Sequence, residues 1–102
     1  MTAARTSKTV TAGTTAASIN VATEFGGAEL AGLVVTNRSV NEVAVHCAGG
    51  TAAIDGDDCL HIPAGASRPV PYPVGGSVSY IAAAAGSKVE FAYTGRSAPF
   101  MR

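Results

Sequence analysis

A chain of 102 residues with seven basic side chains, seven acidic ones and no tryptophan is enough polymer for one domain and leaves no room for a second. The basic residues Arg5, Lys8, Arg38, Arg68, Lys88, Arg96 and Arg102 form no run, which argues against a phosphate-tracking surface and so against a nucleic-acid partner. Twenty residues are alanine and 18 are leucine, isoleucine or valine; since a buried Val, Leu, Ile or Phe contributes about 1.5–3 kcal/mol and alanine far less, a thin core that benefits from neighbours is expected.

The amino-terminal segment, residues 1–15, is rich in threonine and alanine and has too few large apolar residues to bury itself. It reads as an arm, either disordered or ordered as a strand against a partner, with a candidate strand near residues 7–11. The first twenty residues, Met1 to Asn20, lack the continuous apolar core of a secretory signal, so no export is expected. Candidate strands follow near residues 17–24, 32–37, 42–47, 58–62, 67–74, 77–83 and 88–94. Turn signals every eight to twelve residues and no credible helix predict an all-β fold, a small antiparallel β-sandwich or barrel of about seven or eight strands over residues 16–95.

Several junctions are legible in detail. Between residues 36 and 41, Asn37 and Asn41 tolerate left-handed backbone or bond to their own chain, predicting a hairpin. Pro63-Ala64-Gly65-Ala66-Ser67 combines a preset φ with a glycine free to take positive φ, predicting a reversal or sharp bend. Prolines at 69, 71 and 73 would all turn their missing N–H groups to one side of an extended chain, predicting an edge strand blunted against aggregation or else a polyproline-like loop. The alanines at 82–85 are too few to nucleate a helix and lead into a turn at Gly86-Ser87. In the last run Val89, Phe91 and Tyr93 share one face and Lys88 and Glu90 the other, with Tyr80 also assigned to the core and Tyr72 left open. The end of the chain, residues 96–102, is read as a tail carrying Phe100 and Met101, which either fold back on the domain or anchor a neighbour.

His46, Cys47, Cys59 and His61 offer metal-ligating atoms, but neighbours in a strand point to opposite faces, so His46 and Cys47 cannot share a site while Cys59 and His61 can. The alternative is two core thiols and two surface imidazoles, with Cys47 and Cys59 free rather than disulfide-bonded. Asp55-Gly56-Asp57-Asp58 is either a cation loop or a solvated turn; it lacks the spacing of an EF-hand. No nucleophile stands with a base and an oxyanion-hole motif, and no phosphate-binding loop is present. The expectation is a non-enzymatic protein with no cofactor, no metal and no membrane span.

The succession Leu33-Val34-Val35-Thr36-Asn37-Arg38-Ser39, Glu42-Val43-Ala44-Val45-His46, Ile62-Pro63-Ala64-Gly65-Ala66-Ser67-Arg68-Pro69-Val70, Val78-Ser79-Tyr80-Ile81 and Val89-Glu90-Phe91-Ala92-Tyr93 resembles small β-sandwich structural proteins of tailed-bacteriophage particles. The resemblance spans residues 32–94 and includes a strand ending in an Asn-containing turn, a Pro-Ala-Gly bend and a last aromatic-rich hairpin. It implies a virion protein assembled in the host cytoplasm, a decoration or cement protein that binds the major capsid protein and copies of itself, with a trimer as the implied symmetry. Contacts to partners are expected from Arg5 and Lys8 in the arm and from Pro99, Phe100 and Met101 in the tail. A phage tail or fibre component, including a receptor-binding module, and a cytoplasmic ligand-binding sandwich are the other two readings.

Overall fold

Strand β3 (Leu33–Asn37) shows the alternation that organises the molecule: Leu33, Val35 and Asn37 are buried while Val34 and Thr36 are half-buried on the opposite face. The computed structural model describes residues 7–25, 33–71 and 73–93. Besides β3, seven strands are formed: β1 (Ser7–Ala12), β2 (Ala17–Asn20), β4 (Val43–His46), β5 (Cys59–Ile62), β6 (Ser67–Val70), β7 (Ser77–Ala82) and β8 (Ser87–Tyr93). They make two four-stranded antiparallel sheets of order β1-β8-β3-β6 and β2-β7-β4-β5.

The pairs β1 with β8, β2 with β7, β3 with β6 and β4 with β5 describe one long hairpin whose tip is the β4–β5 loop. Rolling that hairpin up adds the pairs β3 with β8 and β4 with β7 and divides the strands between two sheets. This is the strand order of a jelly roll, the eight-strand form of the β-sandwich. Between the sheets lie Phe25, Leu33, Val35, Val43, Val45, Ile62, Val78, Val89 and Phe91, each fully buried. Tyr80 joins them, whereas the side chain of Tyr93 and all of Tyr72 lie outside the described residues.

Because consecutive strands alternate between sheets everywhere except at β4–β5, two expected hairpins are not formed. The Asn37–Asn41 corner carries the chain from one sheet to the other. Asn37 is wholly buried there, and its amide donates to Asn41 O at 2.6 Å and Ile62 O at 2.9 Å while its Oδ1 accepts from Ser39 N at 3.0 Å and Ser39 Oγ at 2.7 Å. A side chain that ties the corner to β5 of the other sheet favours a crossover over a tight reversal. Likewise β7 and β8, implied to be a hairpin, lie in opposite sheets, with Gly86 at φ 80° in the turn between them.

The expected strand over residues 17–24 stops at Asn20, and one helical turn, α1 (Val21–Glu24), replaces its second half. Asn20 Oδ1 accepts the Thr23 N–H at 2.9 Å as an N-cap, and Val21 and Phe25, four residues apart on one face, both enter the core. The expected arm also shortens: Ser7–Ala12 pairs with β8 of its own sheet, burying Ala12 and half-burying Val10. Residues 1–6 and the expected tail, residues 96–102, lie outside the described residues.

The proline-rich segment supplies a strand only over Ser67–Val70, at the edge of its sheet. Asn37 N donates across to Ala66 O and Arg38 N to Lys88 O, so odd-numbered residues of β3 bond towards β6 and even-numbered ones towards β8. Pro69 stands opposite Val34, a position whose N–H would face solvent, and its ring removes that donor. The Pro63–Ala66 turn, with Ala66 N donating to Pro63 O at 3.0 Å and Gly65 at φ 73°, bends the chain sharply from β5 into β6 as expected. Among the described residues no helix is long and apolar enough to cross a membrane.

Candidate functional site

The polar residues singled out in the sequence gather on the outer face of the β2-β7-β4-β5 sheet. Val43 and Val45 of β4 face the core, so Ala44 and His46 face outward; pairing puts Cys59 and Ser79 beside His46, and His61 and Ile81 beside Ala44. Yet Ala44, His46 and Ser79 are buried. What covers them is the β4–β5 loop, residues 47–58, folded back over its own sheet.

Backbone N–H groups of that loop are held by side chains of the sheet. His46 Nδ1 accepts from Ala48 N and Gly50 N, each at 3.2 Å, and Ser79 Oγ accepts from Ala52 N at 2.8 Å. Cys59 Sγ accepts from Ala53 N at 3.4 Å and His61 Nε2 from Asp55 N at 3.1 Å. A loop lying on a sheet must satisfy its inward amides, and these four side chains do so. A Cβ on Gly50 would meet the His46 ring at 2.7 Å, and one on Gly56 would meet Ala53 Cβ at 2.9 Å, so both positions require glycine.

With Nδ1 accepting two amides, His46 carries its proton on Nε2. Cys47 turns the other way, into the core, where burial pushes its thiol pKa above the ordinary 9.0. The four atoms weighed as zinc ligands are therefore not one set, since Cys47 is separated from the others by the sheet, and Cys59 and His46 serve as amide acceptors. Of Asp55, Asp57 and Asp58, the first and last adopt left-handed backbone at φ 62° and 61° and shape the two turns of the loop.

Asp55 joins a different set. His61 Nε2 lies 3.4 Å from Asp55 Oδ1 and 3.5 Å from Glu42 Oε2, and the three ligand-type atoms fall within 4.8 Å of one another. Glu42 sits just before β4, its carbonyl accepting from Ala83 N at 2.8 Å. Nothing in the spacing of residues 42, 55 and 61 announces a common position. Arg68 Nη1 donates to His61 O at 3.1 Å and fastens β6 to the same corner.

Beside the folded loop lies a groove of about 490 Å³ whose lining includes Gly49–Thr51, Ser18, Ser77, Ser79 and Gly75. Among the described residues its lining is hydroxyl-rich and holds no charged side chain. Of the five expected partner contacts, Lys8 is on the face of β1 shared with Val10 and Ala12, its Nζ 3.9 Å from Glu24 Oε1. Arg5, Pro99, Phe100 and Met101 lie outside the described residues. Comparison with known protein families, with curated proteins and with solved structures gives no match.

Proposed function

We propose that this chain is a non-enzymatic structural protein of a phage particle, decorating a capsid and stabilising it by bridging major capsid subunits. The observation that carries the reading is the strand order β1-β8-β3-β6 over β2-β7-β4-β5, the jelly-roll order that viral capsid domains share with lectin domains and cupins. A fold carries no activity by itself, so the surface supplies the rest. The interior is filled by Phe25, Leu33, Ile62 and Phe91, and the β6 edge is blunted by Pro69, features of a rigid module that resists indiscriminate sheet pairing. With formal net charge zero, copies packed side by side on a lattice meet no long-range repulsion. Many weak contacts then add through multivalency, with Arg5, Lys8, Pro99, Phe100 and Met101 the proposed contacts and a trimer the proposed arrangement.

The hydroxyl-lined groove favours a second reading, a tail or fibre module that binds a neutral polar ligand over Ser18, Ser77 and Ser79. The two separate in one experiment: cosedimentation of the purified chain with undecorated phage capsids, using full-length protein and versions lacking residues 1–6 or 96–102. Saturable binding at a fixed copy number, weakened by either truncation, supports the cement role. A monomer that binds no shell but binds glycans through the groove refutes it in favour of the second reading.

A further inference from the structure

The convergence of Glu42, Asp55 and His61 has no counterpart among the expected sites. Two carboxylate oxygens approach one imidazole nitrogen at 3.4 and 3.5 Å, and the same nitrogen accepts the Asp55 amide. Three ligand-type atoms, two of them carboxylate oxygens, within 4.8 Å of one another make a place that favours a cation. Among the described residues the donor aimed there is the Asp55 amide, at 3.1 Å from Nε2.

From this geometry we infer that Glu42, Asp55 and His61 form a zinc site. Ligand atoms at Zn–N and Zn–O bonds of about 2.0–2.2 Å in a tetrahedron are separated by about 3.3–3.5 Å, the spacing of Nε2 from both carboxylates. The imidazole selects against calcium and magnesium, which take oxygen ligands. The ligands come from three separate segments, the residue preceding β4, the β4–β5 loop and β5 itself, so the ion would pin the loop to the sheet corner, with a fourth position open to water. On binding, zinc takes the Nε2 lone pair that holds the Asp55 amide, exchanging a hydrogen-bonded anchor for a metal-bound one. The site is independent of the capsid reading.

The test is titration of the isotope-labelled full chain with zinc chloride at neutral pH, followed by NMR of the backbone amides and histidine rings. The expected result is a one-to-one saturable shift of the His61 ring and the Asp55 amide, with the His46 ring, whose Nδ1 already holds two amides, left in place. Glu42→Gln and Asp55→Asn alter exposed side chains (47% and 85% exposed), so both variants should fold and each should weaken zinc by at least about tenfold. Absence of saturation at millimolar zinc, shifts centred on His46 and Cys59, unchanged affinity in both carboxylate variants, or a His61 ring that answers to pH and calcium but not to zinc would each overturn the site.

Discussion

Tyr80 and Phe91 meet across the interior with ring centroids 5.7 Å apart and ring planes inclined by 55°, although the strands that carry them are consecutive in the chain and never pair. Tilted packing of this kind is worth about 0.5–1.5 kcal/mol beyond the area it buries, and here it joins the two sheets where β7 crosses to β8.

Removing that contact should be among the costliest single changes. Phe91→Ala empties a fully buried site and is expected to cost about 3–5 kcal/mol, a large part of a small domain's stability. Val40, 91% exposed, is the control, with Val40→Ala expected within about 0.5 kcal/mol of the parent. Urea unfolding followed by tyrosine fluorescence measures both, and equal midpoints for the two variants would contradict the core described here.

The corner at Asn37 tests whether the sheet crossover depends on a side-chain amide. Asn37→Ala leaves the buried carbonyl of Ile62 and the part-buried Asn41 carbonyl and Ser39 amide without their partner, for an expected loss of about 2–4 kcal/mol, of which about 1–3 kcal/mol comes from the buried Ile62 carbonyl. Asn37→Asp has nearly the same shape but no amide donors, and is expected to destabilise at least as much at pH 7. If it matched the parent by calorimetry, shape alone would be holding the corner.

The amide clamp over the outer sheet face is addressed by Gly50. Gly50→Ala drives a methyl group into the His46 ring at 2.7 Å, and overpacking of this sort costs about 1–3 kcal/mol. Faster hydrogen exchange should appear at Ala48 and Ala52 but not in β8. Gly65→Ala, at φ 73° with open space around it, should show only the smaller cost of left-handed backbone, on the order of 1 kcal/mol.

Alkaline pH should destabilise the protein. Burial raises the Cys47 pKa above 9.0 and the Tyr80 pKa above 10.0. Once the pH exceeds those ordinary values the unfolded chain releases protons that the folded chain retains, so stability falls with rising pH. The contribution is complete below about pH 8 and declines from about pH 9 upward. Cys47→Ala is expected to reduce the slope between pH 8.5 and 9.5, measured by urea midpoints; an identical slope would mean that the thiol does not contribute. At pH 8, Cys59, half-buried, should react with a disulfide reagent before Cys47 does.

Blunting at the β6 edge is the last testable feature. Pro69→Val restores a solvent-facing N–H on an edge strand, and sedimentation velocity should then show concentration-dependent association beyond that of the parent. A monodisperse variant would assign the protection to Arg68 and the adjoining turn instead.

Much of this architecture was readable from local chemistry. Alternation placed Val89 and Phe91 inside and Lys88 and Glu90 outside, and it set Cys47 on the face opposite His46. The Pro63–Ala66 bend and the Gly86 turn were legible because proline and glycine act on their own φ. The one-turn helix after Asn20 left a weaker signal: a capping residue followed by apolar residues four apart at Val21 and Phe25, set against the strand propensity of valine and threonine. The site was the least legible part, since His46, Cys59 and His61 were visible as reactive side chains but their role as acceptors for loop amides was not.

What the sequence by itself determined is therefore one-dimensional: which residues are extended, which face of each strand is apolar, and where the chain turns. Those properties depend on side-chain period and backbone φ, which act over a few residues. Tertiary structure alone decided which strands pair, that Asn37 and Gly86 mark crossings between sheets rather than hairpins, and that Glu42, Asp55 and His61 share one corner. Pairing β1 with β8 or β2 with β7 brings together residues 57 to 85 positions apart, and the free energy that selects those partners comes from burying both sheets against a common core, a property of no local stretch of chain.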